Sequence, residues 1–204
     1  MDQEAKQQLL DGDVHGAENT YLSAEELRED HQRGGKPGAY ITFMAWLLET
    51  GDFIRGIRFF KDANWLPPLT RIAMARQLSD TLTKSGQRSR GLDLLRSLRP
   101  DPDAPDAHLT LYQLGKALWD RGETEEGIAT MHEATYLCLA TGENYVPQHA
   151  VWDSFDPNRT LIDLGKTLWA IGETKSGVEA IRGAAYISLA RASRNFRLPL
   201  YGYS

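Results

Sequence analysis

The chain has 204 residues, 41% of them hydrophobic and 25% charged, a composition that excludes wholesale disorder and leaves room for one continuous core or a short array of repeats. Its formal net charge of -5 argues against the broad positive field that nucleic-acid binding favours. The single cysteine, Cys138, excludes an internal disulfide, and no apolar stretch approaches the length of a bilayer span.

The N-terminal MDQEAKQQLLDGD has no basic start followed by an apolar run, so no secretory signal is expected and a reducing, cytoplasmic setting is. Beyond it, nine prolines punctuate stretches with apolar residues at helical spacing, such as Tyr40, Phe43, Met44 and Leu47, or Leu111, Leu114 and Leu118, or Leu161, Leu164 and Leu168. Strand-like alternation is scarce, so the protein is expected to be almost entirely α. Pro67-Pro68, Pro105 and Asp156-Pro157 read as helix starts, the last with Asp156 as the capping residue.

Taken in chain order, the predicted units run 2–31, 37–64, 67–99, 105–141 and 157–195, with an insertion at 143–156 and a tail at 196–204, all within one domain. Each unit carries a turn glycine, a small residue five positions later and a bulky residue four further on. The trios are Gly12, Ala17, Tyr21; Gly51, Gly56, Phe60; Gly86, Gly91, Leu95; Gly122, Gly127, Met131; and Gly172, Gly177, Ile181. The turn glycine ends one helix with positive φ, the small residue admits the second helix closely, and the bulky one fills the space between them. Three residues on, Ala24, Ala63, Ala134 and Ala184 keep the next contact tight, with Leu98 in the third copy.

The last two units are duplicates. LYQLGKALWDRGETEEGIATMHEATYLCLA (111–140) and LIDLGKTLWAIGETKSGVEAIRGAAYISLA (161–190) agree at 14 of 30 positions without a gap. Leu114-Gly115, Leu118, Gly122, Met131 and Ala134, with Leu164-Gly165, Leu168, Gly172, Ile181 and Ala184, resemble the tetratricopeptide repeat (TPR). The resemblance covers about residues 5–195, strongest in these two units. It departs from the family where Leu111 and Leu161 replace an aromatic, where glycine replaces the usual small alanine in four copies, and in the 50-residue offset. It implies a right-handed solenoid of about five antiparallel helix pairs.

The same resemblance implies a protein-interaction module, a scaffold, adaptor or assembly factor, that takes another protein or a peptide on its concave face. Tyr112, Lys116 and Trp119 share one helical face, and Ile162, Lys166 and Trp169 are their counterparts. With Arg159 they form the candidate binding set, suited to an apolar segment with a carboxylate nearby. The competing reading makes both tryptophans ordinary packing residues. A clamp for a partner's terminal carboxylate is not assigned, because Ala45 and Asp80 stand where earlier units would continue the lysine row.

Chemistry is thinly represented. No histidine pair has HxxxH spacing, and no glycine-rich phosphate loop or nucleophile elbow is present. No catalytic residue, metal or cofactor is assigned, and Cys138 in YLCLA reads as a small buried hydrophobe. The insertion, with Tyr145, Val146, His149, Trp152, Asp153 and Phe155, supports the alternative of an enzyme-complex subunit with a ligand site there. The basic, aromatic C-terminal stretch leaves self-association through the last unit and tail open. Neither a nucleic acid nor a membrane is expected as a partner.

Overall fold

The computed structural model describes residues 4, 7, 8, 10–13, 15–17, 19, 44, 46–48, 50–62, 66–104, 106–142 and 156–195. The chain forms two compact units, Met1–Leu98 and Arg99–Ser204. Among the described residues every regular element is a helix and no strand occurs. The first unit holds α1 (Phe53–Asp62), α2 (Pro68–Lys84) and α3 (Arg88–Arg96); the second holds α4 (Ala107–Trp119), α5 (Thr124–Gly142), α6 (Pro157–Ala170) and α7 (Thr174–Asn195).

The helices pair through one recurring turn. At Gly122 φ is +83°; its amide donates to the Trp119 carbonyl at 2.9 Å and the next amide, of Glu123, donates to Leu118 at 3.1 Å. At Gly172, with φ +95°, the bonds run to Trp169 at 3.1 Å and from Glu173 to Leu168 at 2.9 Å. The Gly86 and Gly51 turns repeat both bonds, and after Gly12 the amide of Asp13 donates to Gln8. This is a Schellman closure, which needs a left-handed residue just past the helix end. All five expected turn glycines have positive φ, and no other described residue does. A Cβ there would be strained, so the sequence has glycine.

Immediately after the turn the helices touch backbone to backbone. A Cβ on Gly127 would stand 2.7 Å from the Trp119 amide nitrogen and 2.8 Å from the Gly115 carbonyl; one on Gly177 would stand 2.8 Å from the Gly165 carbonyl and 3.0 Å from the Trp169 nitrogen. In the first unit Gly91 approaches the Ser79 hydroxyl and backbone in the same way. The α2/α3, α4/α5 and α6/α7 pairs are thus tight helical hairpins, and the fold is TPR-like. The bulky third residue of the trio is buried at Phe60, Leu95 and Met131, but Ile181 is partly exposed. No described helix pair follows α7 to cover it. Tyr21, Ala24 and Ala63 lie outside the described residues.

In the second unit Leu111, Tyr112, Met131, Ala134 and Cys138 join Leu161, Leu164, Leu168, Ala180, Ala184 and Ile187 in one apolar cluster. As expected, α6 begins with Pro157 behind Asp156, whose side chain accepts the Asn158 amide at 3.0 Å; α2 begins at Pro68 without a side-chain cap. Arg191 of α7 ties two helix ends together. Its Nε and Nη2 donate to the Gly142 carbonyl at 3.0 and 2.8 Å, and its Nη1 reaches Asp156 Oδ1 at 2.9 Å. In the first unit the Arg71 guanidinium lies 5.4 Å from the centre of the Phe60 ring, within cation–π range.

The crossings make a signed prediction. Replacing glycine by alanine within a helix ordinarily stabilises by about 0.5–1 kcal/mol. At Gly177 the added methyl meets backbone rather than a flexible side chain, so Gly177→Ala should instead cost about 1–3 kcal/mol. The midpoint of a urea titration reads this directly; an unchanged or higher midpoint would show that the hairpin has room to spare.

Candidate functional site

The duplicated helices α4 and α6 place their C-terminal halves beside one another in the second unit. Between them lies a cleft of about 340 Å³, lined by Lys116, Trp119, Asp120, Met131, Lys166, Thr167, Ala170 and Ile171. Trp119, Met131, Ala170 and Ile171 give it apolar walls. The two lysines and Asp120 supply charge. Its size is at the lower end of ligand pockets, enough for one or two side chains of a bound segment.

The two copies differ where they meet beside the cleft. Tyr112 is buried, and its hydroxyl shares a 3.0 Å hydrogen bond with Thr167 Oγ1 on α6. Thr167 occupies the position that Ala117 has in the preceding copy. Trp119 packs against the apolar cluster with part of its surface open. Its Cβ lies where a side chain on Gly127 would be, 2.8 Å from that Cβ position, so a residue with a side chain there would displace the indole.

Of the seven residues singled out from the sequence, Lys116, Trp119 and Lys166 line this cleft. Tyr112 supports it from below through Thr167. Arg159, Ile162 and Trp169 are exposed and are not among its lining residues. Lys116 is half-buried and Lys166 exposed; the Lys166 ammonium stands 3.9 Å from Asp163 one turn earlier, a surface pair of little energetic weight. Asp120, Met131, Thr167, Ala170 and Ile171 were not anticipated. The signal for Thr167, Ala170 and Ile171 lay at positions where the duplicates disagree, Ala117 against Thr167, Asp120 against Ala170 and Arg121 against Ile171.

Cys138 is fully buried in the cluster. Removal from water, with a smaller contribution from the negative charge of Asp156, pushes its thiol well above the ordinary range. It is packing material rather than a nucleophile. Among the described residues no group of three His, Cys, Asp or Glu side chains could hold a metal ion. No described helix is long and apolar enough to cross a membrane. The insertion residues from Tyr145 to Phe155, including His149 and Asp153, and the tail from 196 onward lie outside the described residues.

No protein-family model matches the chain, and no curated protein matches it. Among solved structures it is similar to the RS-1 MamA ArsTM double mutant, 18% identical, covering 94% of each chain with a TM-score of 0.39. It is likewise similar to MamA from Desulfovibrio magneticus RS-1, residue 41 to the end, 18% identical over 93% of each chain, with a TM-score of 0.38. A Podosopora anserina chain described as a kinesin light chain with nearly identical TPR-like repeats is 14% identical over 91% of this chain and 92% of that one, with a TM-score of 0.43.

The buried thiol sets a measurable behaviour. At pH 8 Cys138 should resist a disulfide-exchange reagent in the native protein and react at once in urea. Because its folded-state pKa is raised, the folded chain keeps the proton that the unfolded chain loses above its ordinary value of 9.0. The thiol's contribution to stability is therefore full below about pH 9 and declines above it, by at most about 1.4 kcal/mol per pH unit. Cys138→Ala should remove that part of the alkaline slope; rapid labelling of the native protein would contradict the burial.

Proposed function

We propose that the chain is a protein-interaction module, and that the cleft between α4 and α6 takes an extended peptide segment carrying an apolar side chain next to a carboxylate. The supporting observation is the pairing of Lys116 and Lys166 over walls made by Trp119, Met131 and Ile171. An apolar side chain in the cleft would supply most of the affinity, since exposed lysine–carboxylate pairs are worth about 0–1 kcal/mol. The lysines would select against basic segments and speed encounter with acidic ones. Scaffolding, adaptor or assembly work is the role such a module serves.

Binding of fluorescent peptides that carry a leucine or phenylalanine flanked by aspartate or glutamate tests this reading by anisotropy. Lys116→Glu with Lys166→Glu should weaken the acidic peptides by about tenfold, corresponding to about 1.4 kcal/mol, and raising salt should weaken them in the parent chain. Equal binding of acidic and lysine-substituted peptides, or binding indifferent to the double charge reversal in a protein with unchanged circular dichroism, would remove the lysines from the site.

A further inference from the structure

The two duplicated hairpins make an internal comparison possible, because one has a described successor and the other does not. On α4 and α5 the residues Tyr112, Trp119, Met131 and Leu139 meet the following pair. Tyr112 bonds Thr167, Trp119 and Met131 share the cleft walls with α6, and Leu139 lies against Gly183, whose Cβ position is 2.5 Å from the leucine Cδ2. Their counterparts on α6 and α7 are Ile162, Trp169, Ile181 and Leu189. The exposure rises from 8% at Tyr112 to 37% at Ile162, from 0% at Met131 to 43% at Ile181, and from 38% at Leu139 to 69% at Leu189. Trp169 is 55% exposed.

This uncovered face keeps the residue types of the covered one. Trp169 repeats Trp119, Leu189 repeats Leu139, Ile181 replaces Met131, and Ile162 replaces a tyrosine whose hydroxyl needed a polar partner. The face is therefore more apolar than its counterpart, and it lies on one helical hairpin in continuity with the interface just upstream. The upstream interface is filled by both helices of the next hairpin, α7 through Gly183 against Leu139 and α6, which meets both α4 and α5. The α6 helix is amphipathic, with buried Leu161, Leu164 and Leu168 at i, i+3 and i+7, the spacing of one helical face.

We infer that the Ile162, Trp169, Ile181 and Leu189 face of the last hairpin is a docking site for an amphipathic helix of a partner protein, one bearing leucines at i, i+3 and i+7 as α6 does. The ligand lies across α6 and α7 as α6 lies across α4 and α5. Because Ile162 presents no hydroxyl, the site favours an aliphatic residue where α6 has Thr167. Apolar contact drives the association, so it responds weakly to salt, unlike binding of an acidic peptide in the cleft.

The probe is a hydrocarbon-stapled, fluorescein-labelled peptide with the chain's own residues 157–172, the staple removing the cost of forming the helix. Titrated with the full chain, it should bind saturably with a Kd of order 10–100 μM. Ile181→Asp and, separately, Trp169→Ala should each weaken it at least tenfold. Two variants guard against loss of fold, and circular dichroism checks both. Lys116→Glu, which acts on the cleft, should leave this Kd within about twofold, so failure here and failure of the cleft reading are distinguishable. No saturable binding up to about 1 mM, or binding indifferent to both substitutions, overturns the inference. So does a light-scattering mass of two chains that Ile181→Asp returns to one, which would make a second copy the occupant. Binding that appears only after residues 196–204 are deleted overturns it as well, by making the chain its own ligand.

Discussion

The close contact of glycine with backbone at each hairpin crossing is the constraint on which the second unit depends. Gly115 against Gly127, and Gly165 against Gly177, bring carbonyl oxygens to within 2.8–2.9 Å of where a Cβ would be. Neither glycine of a crossing puts a side chain between the helices, and Met131 and Ile181 lie against Gly115 and Gly165 in that space. Trp119 shows the consequence. With its Cβ lodged against Gly127, the indole has to lie on the outer side of the hairpin, toward the next pair. The glycine thus decides where the tryptophan goes, and the tryptophan helps form the wall of the cleft.

The turn and the crossing are one device used repeatedly along the chain. The Schellman closure fixes where the second helix starts, and five residues later the small residue meets the first helix. Both features are local, which is why spacing in the sequence anticipated them: Gly12, Gly51, Gly86, Gly122 and Gly172 all have positive φ. The Asp156-Pro157 start was legible for the same reason, since a capping carboxylate and a fixed proline φ act within one turn. The candidate site was only partly legible. Lys116, Trp119 and Lys166 came from the repeat register, but Thr167, Met131 and Ile171 owe their place to how one hairpin sits on the other.

The two tryptophans make the limit concrete. Trp119 and Trp169 stand in the same local sequence, LxxLGKxLW, and approach the same glycine in their hairpins. One is packed on the apolar cluster and the other is exposed. The shared LxxLGKxLW sequence does not distinguish them. The difference lies in the neighbouring hairpin that packs over Trp119, and periodicity cannot register a neighbour. The same holds for Met131 and Ile181, interchangeable in size and character yet opposite in burial.

Among the described residues the α6/α7 hairpin has one neighbouring hairpin, α4/α5, so it gains interface on that side only. Polar ties at the far end of α7 add to that interface. Arg191, largely shielded from water, satisfies the Gly142 carbonyl that α5 leaves open and at the same time the carboxylate that caps α6. A charged hydrogen bond of this kind, partly buried and shared between two helix ends, is worth more than the surface pair of Lys166 with Asp163. It holds the start of α6 against the end of α5 without using the apolar face around Trp169. That face is thereby left open by a hairpin that is already anchored elsewhere, which is the condition a docking surface requires: its exposure does not depend on the hairpin being loose.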